Sequence, residues 1–318
     1  MNEKINEARE MKQIKPAFRN NKFHGGMVEK KNALNITFDI FLVIFMVVVI
    51  LICVIPMWHV LMSSFSDGST RFEHKGLVWW PVGTDGGFNF GGYQEFFKDS
   101  DVWSGYLNTL IYVIGATAFG FILNTLGGYV LSRKLLFSKP LSIFVMFTMM
   151  FNGGLIPTYM VINALGMTQT RWSLLIPGCT SAIFMLINSN AFRSVPESTI
   201  EASRIDGAGH LTTLFKIMLP QAMSLAMVVI LNTVILQWNS WYPASIYVPN
   251  NRDLWPLQLW VNDKVTLANK SIMSGTANFD RFLVQYCVII AATLPILVAF
   301  PFFLKWIEKG QIVGGVKE

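Results

Sequence analysis

The chain has 318 residues, 53% of them hydrophobic and only 14% charged, with a mean hydropathy of +0.45. Its apolar stretches are too long to be core helices of a water-soluble domain, so the composition excludes a soluble globular protein and points to an all-α polytopic membrane protein. The formal net charge of +6 fits the cytoplasmic Lys/Arg excess of such proteins better than an acidic partner, and no nucleic acid is expected.

Residues 1–35 form a polar tail with eight Lys/Arg against four Glu. It lacks both an early apolar region and a small-residue cleavage site, so it reads as a cytoplasmic extension, free or lying on anionic lipid. From Ile40 to Met57 no charge interrupts the run, which is long enough to cross about 30 Å of hydrocarbon. The first span is predicted at about 36–60 and the second at about 105–131. Between them lies a polar, Gly- and aromatic-rich loop that includes Trp79 and Trp80.

A short basic loop, Ser132 to Pro140, precedes a third span at about 141–163. That span contains Phe151-Asn152-Gly153-Gly154-Leu155-Ile156-Pro157, a stretch predicted to kink or open the helix. After a tight turn near Gly166 the fourth span runs over about 172–192. The fifth is predicted at about 217–240, and a long loop leads to the sixth at about 283–305. The three cysteines, Cys53, Cys179 and Cys287, each lie in an apolar run without a ligand-spaced partner and read as small core residues.

Between spans four and five stands a polar, mixed-charge island, residues 194–216. Ser194-Val195-Pro196-Glu197 has the form of a capping box, predicting a helix from near Val195 with Glu197, Glu201 and Arg204 on its polar side. Asp206-Gly207-Ala208-Gly209 ends it, since glycine takes the left-handed conformation readily. Leu211, Leu214, Phe215 and Met218 then restart a helical period. A helix–Gly–helix joining two spans is suited to contact with another protein.

Charge sets the expected orientation. With the N-terminus inside, the cytoplasmic segments carry 17 Lys/Arg and the outer ones 8, a positive-inside asymmetry that places the 194–216 island in the cytoplasm.

Between their ends the spans hold almost no ionisable side chains, which argues against a proton- or sodium-coupled symporter. Gly-Lys occurs nowhere, so there is no Walker A sequence, and neither HExxH nor GxSxG is present. No enzymatic activity, metal or cofactor is expected of the chain itself. Polar residues inside the spans remain as candidates: Asn108, Asn124, Asn152, Asn188, Asn232 and the run Gln237 to Tyr242. Amides hydrogen-bond sugar hydroxyls and flat aromatic faces stack on pyranose rings. The same residues also serve as interhelical bonds and interfacial anchors. Asn152, Trp238 and Asn239 rank highest: Asn152 is expected to line a translocation cavity, with Trp238 and Asn239 at its mouth.

The spacing Glu201-Ala202-Ser203, three residues ending in Asp206, Gly207, nine residues, Ile217, one residue, Leu219-Pro220 resembles the EAA signature of ABC-importer permeases. Ser203 stands where that family usually has a second Ala. Beyond this segment, Phe151–Tyr159, Leu165–Gly178, Trp238–Tyr247 and Lys309–Lys317 resemble a subgroup of maltose-transporter-like permeases assigned to oligosaccharides, including aldouronate-type substrates. The resemblance implies a type I importer permease domain over 36–318, with the EAA-like residues forming the ATPase-coupling helix. It implies a second homologous permease, two ATPase subunits that bind the ATP, an extracellular or periplasmic sugar-binding protein, and a bacterial cell membrane with both termini in the cytoplasm. A self-standing transporter or channel for small polar solutes is the alternative.

Overall fold

The computed structural model describes residues 33–83, 87–133, 137–273 and 279–314. The tail as far as residue 32 lies outside them, as do the side chains of Lys309–Lys317. The described elements are helical, with no strand among them. They are α1 (Ala33–Ser64), α2 (Gly68–Glu73), α3 (Gly91–Lys98), α4 (Ser100–Ser132), α5 (Ser138–Met150), α6 (Leu155–Ala164), α7 (Trp172–Cys179), α8 (Ala182–Arg193), α9 (Glu197–Ile205), α10 (His210–Gln221), α11 (Met223–Trp238), α12 (Tyr242–Tyr247), α13 (Leu257–Met273) and α14 (Phe279–Gly314). Three helical segments, Ile36–Ser64, Ser100–Ser132 and Leu283–Lys305, are long and apolar enough to cross a membrane alone. Six spans result when the bent pairs α5–α6, α7–α8 and α10–α11 each count as one.

Two compact units meet in sequence between Met57 and Trp58. The first contains α1 as far as Met57, whose side chains from Ile36 to Val54, Cys53 included, are exposed in the single chain. Cys53 is therefore not the core residue expected, whereas Cys179 and Cys287 are buried.

In the second unit α4 is the hub. Glycines let its neighbours approach to backbone contact, as small residues do in membrane helix pairs. A Cβ at Gly120 would stand 2.0 Å from the Cys179 carbonyl oxygen, and one at Gly128 would stand 2.7 Å from Asn188 Cβ. Buried Tyr112, Tyr129 and Val113 each join a different hydrophobic cluster, so a single helix touches all three.

The span expected at 141–163 is two helices, α5 and α6, bent by 111°. Gly154 holds φ +86 and ψ 179, a conformation open in practice only to glycine. Pro157 falls in the first turn of α6, where its missing N–H leaves no helix bond broken. Span four also divides, by 42° between α7 and α8. The straight part of span five starts at Met223 rather than 217, because α10 meets it at 86°.

Candidate functional site

The 194–222 segment folds as two short helices joined by a tight turn. Its first helix begins at Glu197, two residues later than the expected capping box would place it. The N-cap is Pro196, without a side-chain cap bond, and the Ser194 hydroxyl donates to the Ala191 carbonyl at 2.8 Å, finishing α8 instead. Pro196 forces Val195 away from helical geometry, so the new helix starts after it.

The end of α9 is a Schellman motif. The Ala208 N–H donates to the Ser203 carbonyl at 2.9 Å and the Gly207 N–H to the Arg204 carbonyl at 3.0 Å, with Gly207 at φ +79. Gly209, the second glycine of the turn, has φ −72 and caps α10 in an extended conformation. One glycine, not two, therefore makes the left-handed turn.

Packing orients this hairpin. Ile200, Ser203, Thr213, Leu214 and Met218 are buried, and the apolar ones join Tyr129, Phe192, Val195, Leu219 and Ala226 in one cluster. Ser203 is 5% exposed, donates to the Ile200 carbonyl at 2.7 Å and lies 3.4 Å from the Thr213 hydroxyl. A small side chain is needed where α9 crosses α10, and the serine hydroxyl satisfies itself locally. Tyr129 Oη and His210 Nδ1, 2.9 Å apart, tie the turn to α4.

The outward face is what remains: Glu201, Ala202, Arg204, Ile205, Asp206 and Gly207 are all exposed, and Ile205 retains 86% of its surface. Leu211 and Phe215 continue the exposed apolar strip on α10. Acids, bases and bare aliphatic groups alternate on a tip whose backbone is held from behind.

Beyond the tip, Thr213–Met218 is π-helical, closed by the Leu219 N–H on the Leu214 carbonyl. Pro220 has no N–H to give Lys216, so the helix widens rather than continuing with α-helical bonds. The Gln221 amide donates to the Ile217 carbonyl at 3.1 Å. Ile217 is half-buried, Leu219 buried and Pro220 exposed, with the 86° elbow following at Ala222. All eight EAA-like positions thus lie on one continuous structure, the hairpin and its elbow.

The expected substrate-path residues are not brought together. Asn152 is exposed at the α5–α6 break, where its Oδ1 accepts from the Gly154 N–H at 2.9 Å and so helps to shape the turn. Trp238 is 5% exposed, packed against Phe96, Val102, Cys287 and Val288, and its indole N–H donates to the Ala292 carbonyl at 2.9 Å. It is an interhelical wedge, not a residue lining an opening. Asn239 is exposed and donates to the Ile235 carbonyl of its own helix at 2.9 Å.

Two arginines were not anticipated. Arg171 donates to Asn108 Oδ1 at 3.0 Å, while Asn108 donates to the carbonyls of Asp253 and Trp255, fastening the 241–282 loop to α4. Arg71 is buried at 7% exposure and bonds Ser63 Oγ, the His74 carbonyl, His59 Nε2 and Tyr286 Oη. The only sequence signal was a lone Arg beside aromatic or hydroxyl-rich residues.

No protein-family model matches the chain. It is 30% identical over 289 residues, 89% of its length and 99% of the relative's, to the polygalacturonan/rhamnogalacturonan transport system permease protein YtcP of Bacillus subtilis. Protein LplC of the same organism is 27% identical over 88% of this chain and 95% of its own. Among solved structures, a bacterial ABC transporter involved in the import of the acidic polysaccharide alginate superposes with a TM-score of 0.76, covering 87% of this chain and 99% of that one. At 23% identity that likeness establishes the fold, that of an ABC transporter permease. With a curated relative matched almost end to end, the chain belongs to the sugar ABC transporter permeases, the maltose-transporter-like family of multi-pass membrane proteins.

Proposed function

We propose that the chain is one permease subunit of a heterodimeric, ATP-driven oligosaccharide importer, and that α9, Gly207 and α10 seat a cytoplasmic ATPase. The observation that carries this reading is the tip itself. Glu201, Ala202, Ile205, Asp206 and Gly207 project with no covering element among the described residues, while Ile200, Ser203, Leu214 and Met218 hold them from behind. A bare isoleucine flanked by Glu201, Arg204 and Asp206 suits an apolar cleft with a charged rim that offers a cation to Glu201. Positive-inside charge supports both termini in the cytoplasm. ATP then belongs to the partner, and a binding protein on the other side delivers the saccharide.

The test is co-purification of the membrane complex with its ATPase, and uptake by the reconstituted assembly. Glu201→Lys places a cation where the reading needs an anion, and like-charge juxtaposition costs up to several kcal/mol. The variant is expected to lose the ATPase on purification. Normal retention with full activity would refute the seat, and saccharide uptake by this chain alone would establish a self-standing transporter.

Asn152 is the one substrate-path candidate left at a helix break, and we retain it there. Asn152→Cys is expected to react with a water-soluble thiol reagent during turnover, and no reaction in any nucleotide state would remove it from the path.

A further inference from the structure

Three stretches that stand apart in the sequence, Phe151–Tyr159, Leu165–Gly178 and Trp238–Tyr247, converge on one place. Tyr159 of α6 and Tyr247 at the end of α12 lie with ring planes 16° apart and centroids 6.3 Å apart. Tyr247 is buried, in a cluster with Tyr112, Leu174 and Trp255. Tyr159, backed by it, keeps 38% of its surface. Tyr112 and Tyr129 are 17 residues apart on α4, so the tyrosine pair belongs to a level about 26 Å from the cluster that anchors the Gly207 hairpin.

Polar groups stand beside this ring. Asn163 follows Tyr159 by one helical turn and shares its side of α6. It is exposed, and its Oδ1 accepts from the Thr168 hydroxyl at 3.2 Å. Gln169 sits directly on Tyr247, donating its N–H to the Tyr247 carbonyl at 2.9 Å.

Gln169 is held against its own preferences in two ways. Its φ of +59 is the only positive value of a non-glycine among the described residues. Its side-chain Oε1 is shut from solvent with no hydrogen-bond partner. Glycine would relieve the first and an apolar residue the second, so neither feature serves the fold. Backbone strain and an unpaired amide oxygen thus fall on one residue, directly behind an exposed aromatic face.

We propose that Tyr159, Asn163 and Gln169 form a subsite for one pyranose ring of the translocated saccharide, with Tyr159 stacking on the ring and the amides bonding its hydroxyls. A flat π face flanked by carboxamides is the combination that grips a sugar, apolar on its faces and polar at its rim. This assignment rests on the reading of the chain as a saccharide permease.

The test is equilibrium binding of radiolabelled trisaccharides to the purified transporter complex without its binding protein. The panel contains galacturonate and N-acetylglucosamine trimers. Tyr159→Phe keeps the ring and should hold Kd within about twofold, whereas Tyr159→Leu should weaken binding about tenfold. Gln169→Gly removes the amide and relaxes the backbone, so it should melt no lower than the parent yet bind about fivefold more weakly. Unchanged Kd in Tyr159→Leu or Gln169→Gly overturns the subsite, as does a Gln169→Gly protein that melts well below the parent. A parent complex that holds its ATPase but, with its binding protein restored, transports none of the panel overturns the saccharide reading and the subsite with it.

Discussion

Gly207 allows the cost of a backbone conformation to be separated from the cost of a side chain's bulk. Its φ is +79, and a Cβ built on it would meet nothing within 4 Å. An L-residue forced into the left-handed region costs about 1–2 kcal/mol whatever its size, and asparagine tolerates the region better. Because the Cβ meets no neighbour and Gly207 is exposed, leucine should add little steric cost to that of alanine within this chain. Gly207→Ala and Gly207→Leu should therefore melt together, each roughly 2–5 °C below the parent, with Gly207→Asn between them and the parent. Coupling should part the two. Alanine leaves the tip nearly flush and should keep most of the substrate-stimulated ATP hydrolysis. Leucine projects from the surface meant to enter the ATPase and should abolish it. Thermal unfolding of the purified complex and uptake into reconstituted vesicles measure the two effects separately. Parent-rate transport by Gly207→Leu would refute docking at this turn. A leucine variant unfolding far below the alanine one would refute the claim that the space is open.

Substitutions at Trp238, Gly120 and Asp67 test the frame. Trp238→Ala should destabilise the protein by about 3–5 kcal/mol, whereas Trp238→Phe should lose about 1 kcal/mol with the Ala292 bond. Unperturbed melting of the alanine variant would return Trp238 to a lining role. Gly120→Ala must push α4 off the Cys179 carbonyl and should cost about 1–3 kcal/mol by thermal unfolding. Asp67 caps α2 by accepting from the Thr70 N–H, so Asp67→Ala should cost about 1 kcal/mol. The Ser69 hydroxyl bond, aided by Thr70 and opposed by desolvation, holds the Asp67 carboxyl below its ordinary value of 3.8. Its folded value being depressed, the cap's contribution is complete above 3.8 and fades as pH falls through the folded value. The difference from Asp67→Ala should be constant between about pH 5 and 7 and shrink only in stronger acid.

Much of the hairpin was legible because its determinants are local. Gly207 and Pro220 act through their own backbones, and their neighbours in sequence are their neighbours in space. Trp238 was misread because its partner, Ala292, lies 54 residues away, and an indole at a span's end looks the same whether it meets lipid or another helix. The Gly153-Gly154 break was expected, but not its 111° bend, since sequence marks where a helix stops without saying where the chain goes next. The pairing of Tyr159 with Tyr247 and the backbone of Gln169 depend on three segments arriving together, and no spacing announces that.

The elbow after Pro220 is also a bell crank. Met218, Leu219, Ala222 and Ala226 are all buried around it, so the joint is packed solid and does not serve as a free hinge. Its short arm, α10, is about 18 Å long, and its long arm, α11, is about 24 Å, set at nearly a right angle. A 1 Å shove on the tip thus becomes about 1.3 Å of sideways travel at Trp238. Because that indole is bonded to Ala292, such travel would bear directly on α14. Leverage of this kind requires no flexible residue, and softening the joint would spoil it.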